Sequence, residues 1–170
     1  MSQIIPTVSL VGDDALTNQL IERNVTELVD DVTTTIGKGA FYNMKSLTKV
    51  VFTKATATQV IGDMGAFMGC ENLNYADFHA KVSFEKYSFR NCWALQTLIL
   101  RSGQMCTAKT YVLSTNDSAK PVSPYIYVPA ALVDSYKAAL NWSDYANQFR
   151  ALEDYTVDGT ITGELDETKI

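Results

Sequence analysis

A thirteen-residue pattern occurs three times in this chain, and a fold that ignored the recurrence would leave its apolar residues in water. AFYNMKSLTKVVF (40–52), AFMGCENLNYADF (66–78) and SFRNCWALQTLIL (88–100) align on Phe41, Phe67 and Phe89. Six residues on stand Leu47, Leu73 and Leu95, then Val50, Ala76 and Leu98, then Phe52, Phe78 and Leu100. Ile36, Ile61 and Phe84 precede each Phe by five or six positions. Successive leucines are 26 and 22 residues apart, an irregular period within the solenoid range.

Each unit divides in two. The Leu-x-x-apolar-x-apolar half ends in period-2 alternation, which predicts a short strand with one buried face. The half around the Phe is too short for a helix and suits a single turn. Asn43, Gly69 and Asn91 stand where that turn stops, and these residue types tolerate left-handed backbone. One unit cannot enclose its own apolar positions, whereas stacked units give continuous ladders of Phe, Leu and Ile.

IGKGAFYNMKSLTKVVF, echoed at 61–78 and 84–100, resembles the BspA-like, or Treponema-type, leucine-rich repeat family over roughly residues 33–103. That family's pattern is I-G-x-x-A-F-x-x-C-x-x-L-x-x-[VIL]-x-[LF]. Phe84 departs from it in place of Ile and Ser88 in place of Ala. An extra residue near Met64 and Gly65 predicts a local bulge. The resemblance implies a parallel-stranded horseshoe in a family whose members mostly bind or adhere.

The flanks read as caps. DDALTNQLIER (13–23) predicts a short helix with Leu16 and Leu20 on one face, and NVTELV (24–29) an incomplete first strand. YIYVPAALVDSYKAALNW (125–142) reads as strand then helix, with Pro129 in the first turn and Leu132, Tyr136 and Leu140 on one face. SDYANQFRALED (143–154) predicts a second helix through Tyr145, Phe149 and Leu152. Such a cap would shield the open edge of a parallel sheet. Residues 104–124 read as a loop. Around Asp158-Gly159, YTVDGTITG predicts a hairpin. The expected fold is thus an α/β solenoid, a short right-handed leucine-rich-repeat horseshoe with an N-terminal helical cap and a C-terminal strand–helix–helix cap. Its divisions are 1–32, 33–103, 104–124, 125–154, and 155–170 for a hairpin and acidic tail.

Charge narrows the partners. Of the 19 acids, six lie in residues 153–170 against Lys169, so residues 1–152 are electrically balanced. A balanced body offers no basic patch for nucleic acid or anionic lipid. No apolar run reaches the ~18 residues of a membrane span. MSQIIPTVSLVGDDAL lacks a basic start and is a poor secretion signal, so synthesis in the cytoplasm is expected.

Catalytic chemistry finds little purchase. Cys70 and Cys92 share a repeat position with Met44, which makes it a core slot. An odd cysteine count argues against a disulfide framework, and the state of Cys106 is left open. His79 is the sole histidine, so a two-histidine metal site is impossible, and a nucleophile paired with it would have to be Cys106. Gly62, Gly65 and Gly69 lack phosphate-loop spacing. Asp13/Asp14 and Asp30/Asp31 read as turn or helix-start residues. Asn24-Val25-Thr26 fits a glycosylation sequon, which matters only on secretion. No catalytic residue, metal or cofactor is expected.

What remains is surface. Strand residues alternating with the ladder should face the concave side: Lys49, Val51 and Thr53; Tyr75, Asp77 and His79; Thr97, Ile99 and Arg101; with Tyr125 and Tyr127 extending the rows. Such aromatic, charged and aliphatic mixing is typical of interfaces, although an ordinary solvated sheet face is the competing reading. Tyr155, Val157, Asp158, Gly159 and Ile161 read as an assembly arm. The repeat-plus-cap arrangement with its ALEDYTVDGTITGELDE ending looks like proteins of gut-bacterial phages and prophages. That likeness implies a virion surface or tail-associated subunit binding a protein or glycan surface, as a homo-oligomer or docked on a larger assembly. The alternatives are a bacterial cell-surface adhesin module and an intracellular protein-binding scaffold.

Overall fold

The apolar repeat winds into a solenoid of two parallel sheets. The structure is a computed structural model that describes residues 2–4, 25–31, 35–37, 39–54, 59–61, 65–113, 122–157 and 160–161. The expected helix at 13–23, the bulge at Met64, the Asp158-Gly159 turn and the acidic end lie outside these residues.

Strands β1 (Ser2–Ile4), β2 (Glu27–Asp30), β4 (Lys49–Phe52), β6 (Tyr75–Phe78), β8 (Thr97–Leu100), β10 (Tyr125–Val128) and β11 (Phe149–Ala151) form, in that order, a seven-stranded sheet. A second, four-stranded sheet is ordered β3 (Thr35–Ile36), β5 (Gln59–Ile61), β7 (Val82–Phe84), β9 (Thr107–Ala108). Neighbours in both sheets run parallel, and the chain alternates between the sheets from β2 to β10. The larger sheet is the one the period-2 pattern predicts. The smaller one is an addition to that reading, because two- and three-residue strands leave almost no alternation to read.

Register is set by the ladder. Val50 pairs with Ala76 and Ala76 with Leu98, and Phe52 with Phe78 and Phe78 with Leu100. All of these side chains are buried. Phe41 stacks on Phe67 at 4.7 Å between ring centroids, and Phe67 on Phe89 at 5.1 Å, with the rings within 9° of parallel. Phe52 and Phe78 form a second column at 5.3 Å, and it meets the first edge-to-face. Offset stacks and T-shaped contacts are the arrangements that ring quadrupoles favour.

The turns stack as well. Phe41 N–H donates to Ala66 O, Phe67 N–H to Ser88 O and Phe89 N–H to Val112 O, each within 2.9 Å. Polar backbone is thereby satisfied between coils on this side too. The Cys70 thiol donates to Phe41 O at 2.9 Å and the Cys92 thiol to Phe67 O at 3.0 Å, one coil back. Ser88 is tolerated in a buried slot because its hydroxyl donates to Glu85 O at 2.6 Å. Phe84, the substitute for Ile, reaches both Phe89 and Trp142.

Asn43, Gly69 and Asn91 all have positive φ (55°, 80° and 62°), as the turn reading expects. At Gly69 an added Cβ would also collide with the Asn43 side-chain oxygen. Gly69→Ala should cost about 1–3 kcal/mol. Gly103→Ala, in open space, should stay within about 0.5 kcal/mol of neutral. Urea midpoints of the two variants check the contrast.

The Val112 contact reveals a further coil inside the segment read as a loop. β9, the turn at Val112–Leu113 and β10 repeat the order of the earlier coils, with Leu113 in the Phe slot. The C-terminal cap needs a correction. A 3₁₀ turn (Ala130–Leu132) leads into α1 (Val133–Ala138), but 143–154 is not a second helix. It is a kinked 3₁₀ segment (Ser143–Gln148), then β11, then a 3₁₀ turn (Leu152–Asp154). Phe149 pairs with Ile126 in parallel register, and its ring stacks on Tyr136 at 5.2 Å. Strand pairing with β10 and that ring contact bury Phe149 where the expected helix would have forgone the ladder. Leu140, expected on the buried face, is 84% exposed.

Cap side chains finish the smaller sheet's edge. The Cys106 N–H donates to the Tyr136 hydroxyl at 2.7 Å, Trp142 Nε1 donates to Cys106 O at 2.9 Å, and Asn141 Nδ2 donates to Ala108 O at 2.8 Å. The predicted hairpin is present as β12 (Thr156–Val157) against β13 (Thr160–Ile161), antiparallel.

Candidate interaction surface

The outward face of the larger sheet carries three rows. The first runs Glu27, Lys49, Tyr75, Thr97, Tyr125 and the second Val29, Val51, Asp77, Ile99, Tyr127, Arg150. Thr53, His79 and Arg101 continue the strands, each N–H donating to the preceding coil (Asp30 O, Phe52 O, Phe78 O). The structure thus gathers all eleven residues singled out from sequence onto one surface. Expected exposure is corrected at three of them: Val51 is 1% exposed, and Asp77 and Ile99 are 0%.

Part of the reason is the chain's own C-terminal segment. Leu152 packs on Ile99, with Tyr75, Tyr127 and Tyr155 around them, in a cluster separate from the main core. The Tyr155 ring meets Tyr127 edge-on at 4.7 Å. Glu153 anchors the same segment, accepting the Ala130 N–H at 3.0 Å. Tyr155, which the sequence places in an assembly arm, lies on the face itself. Of that arm, Val157 and Ile161 belong to the hairpin strands, and Asp158 and Gly159 are outside the described residues. Sequence reading missed Leu152 and Glu153 because their partners lie 23 to 53 residues earlier, beyond any local pattern.

Beneath this cover lies an ion pair. Arg101 Nε donates to Asp77 Oδ1 at 2.8 Å and Arg101 Nη2 to Oδ2 at 3.1 Å, and the Tyr75 hydroxyl donates to Oδ2 at 3.2 Å. His79 Nε2 stands 3.7 Å from Oδ1. A bidentate guanidinium is the partner that best compensates a buried carboxylate. At the rims, Lys49 Nζ sits 5.4 Å from the Tyr75 ring centre, and the Arg150 guanidinium lies 4.8 Å from that of Tyr125. Burial lowers the Lys49 pKa, against the opposing pull of Glu27 and Asp77.

Burial raises the Tyr75 phenol, reinforced by the Asp77 charge, and it raises Tyr155, reinforced by Tyr127. Phenols held up in the folded state contribute fully below their ordinary pKa of 10.0, and that contribution is lost as pH climbs through the raised values. The urea midpoint should therefore hold up to about pH 9 and fall from about pH 10 upward. A Tyr155→Phe chain should show a shallower fall. Identical alkaline profiles would contradict the Tyr155 assignment.

The three cysteines are free and buried. Burial pushes the Cys92 and Cys106 thiols up, away from the thiolate that nucleophilic chemistry needs. Cys106 Sγ accepts the Val82 N–H at 3.3 Å, which settles its state as a packed free thiol in place of an open loop position. Among the described residues, no group of three or more His, Cys, Asp or Glu side chains is placed to hold a metal ion. No helix among them is long and apolar enough to cross a membrane.

No curated protein and no solved structure matches the chain. Residues 11–123 do match a family description, "BspA type Leucine rich repeat region (6 copies)". The match extends past the three readable repeats across most of the further coil that ends in β10. With more than half of its length matched and a coil of parallel strands built on the repeat, the chain belongs to the BspA-type leucine-rich repeat family.

Proposed function

We propose that this chain is a non-enzymatic binding subunit displayed in many copies on a phage virion surface or tail, where it mediates attachment or decoration. The larger sheet is its contact surface and the concave side of a short right-handed horseshoe. The observation that carries this reading is the small size of that surface.

Seven strands ~4.8 Å apart span roughly 29 Å, and strands of four residues are about 13 Å long. That patch is near 400 Å², well below the ~800 Å² per partner of a stable complex. The buried centre at Val51, Asp77 and Ile99 leaves the rims, with Tyr125 52% exposed, to make first contact. A single copy would hold a protein or glycan surface weakly. Repetition on one particle raises avidity by ~10²–10⁴ without any new contact.

Mass spectrometry of purified particles from the producing lysate tests the proposal. The chain should co-purify with particles at many copies each. Its recovery only in the soluble fraction would overturn the virion reading.

A further inference from the structure

The segment lying on the outward face is itself a template for what that face recognises. Ile99 forms an apolar floor under Leu152, and Tyr127 presents its ring to Tyr155. Arg101 and Asp77 close the site on one side as a neutralised pair. The covering segment does not extend the sheet. Its backbone turns on itself, with Tyr155 N–H donating to Leu152 O at 3.0 Å, and its grip comes from side chains. Because this cluster is separate from the main core, its release need not open the Phe columns.

We infer that the outward face is a recognition site for a segment that forms a single tight turn and carries an aliphatic side chain followed three residues later by a tyrosine, as Leu152 and Tyr155 do here. Residues 152–155 fill the site in cis until a partner presents the same chemistry. This rests on the reading of that face as the contact surface, and it adds a regulatory consequence. The tethered strap competes at an effective concentration in the ~mM range, so one weak partner segment cannot displace it. Many partner segments presented together can, which confines engagement to repetitive surfaces.

The test uses the full chain carrying Leu152→Ala and Tyr155→Ala, isotope-labelled, and titrated with a synthetic peptide of residues 150–158 (RALEDYTVD) followed by NMR. In the variant, the backbone signals of Thr97, Ile99 and Tyr127 should shift and reach half-saturation at about 0.1 mM peptide or below, because a strap at ~mM effective concentration excludes a competitor tenfold only from a site of that affinity. In the unaltered chain the same signals should respond at least tenfold more weakly. A peptide carrying the same two alanines should move neither. If the double variant loses its fold, Tyr155→Ala alone is titrated, with the same expectation.

Absence of any shift in a folded variant up to about 10 mM peptide, or equal response of variant and unaltered chain, overturns the inference. The outcome separates from that of the display reading. Particle-borne chain with no peptide uptake by the variant removes the strap site alone. Peptide uptake by a chain missing from particles removes the virion role alone.

Discussion

Phe67→Ala should cost roughly 3–5 kcal/mol, enough to unfold much of the population. Phe67 lies at the centre of the first aromatic column, stacked between Phe41 and Phe89, and meets both rings of the second, Phe52 and Phe78, edge-on. Truncation removes a fully buried ring and leaves a void that the coils above and below cannot close, because their spacing is fixed by backbone hydrogen bonds such as Phe41 N–H to Ala66 O. Phe67→Leu keeps most of the volume and should lose about half as much. Chemical unfolding with both variants measures the difference. A loss below about 1 kcal/mol for the alanine chain would mean that the column is not where stability resides.

Arg101→Ala should be nearly as damaging, at about 3–5 kcal/mol, although it removes no apolar core. Asp77 is wholly buried, and Arg101 supplies two of the hydrogen bonds that make this tolerable. Without the guanidinium, a buried carboxylate is left with the Tyr75 hydroxyl and the more distant His79 imidazole. Replacing both partners, as in Asp77→Leu with Arg101→Met, removes the desolvation penalty along with the pair and should recover most of the loss. A double variant no more stable than Arg101→Ala would contradict this account of the pair.

How much of this could be read in advance differs by element. The Phe41–Phe67–Phe89 register was legible because the same offsets recur to Leu47, Val50 and Phe52 in every copy. The left-handed turn ends were legible because Asn43, Gly69 and Asn91 are residue types with a physical reason to be there. The coil through β9 and β10 was hidden. Leu113 replaces its Phe, and thirteen residues separate Leu113 from Ile126 where nine separate Phe41 from Val50.

The second cap helix failed for a related reason. Tyr145, Phe149 and Leu152 do recur at helical spacing, but strand pairing of Phe149 with Ile126 overrode the local pattern. At the candidate surface, alternation placed Lys49, Tyr75, Asp77 and Ile99 on one face and said nothing of what would lie on top. Cover by Leu152 and Tyr155 is a contact between residues some fifty positions apart, and only the closed fold brings them together.

The central claim is that single coils, unable to bury their own rings, do so by stacking in chain order. Nuclear Overhauser contacts between individually labelled phenylalanine rings test it most directly. The account predicts contacts from Phe41 to Phe67, from Phe67 to Phe89 and from Phe52 to Phe78, with none between Phe41 and Phe89. A direct Phe41–Phe89 contact, or silence between Phe41 and Phe67 in the folded chain, would contradict it.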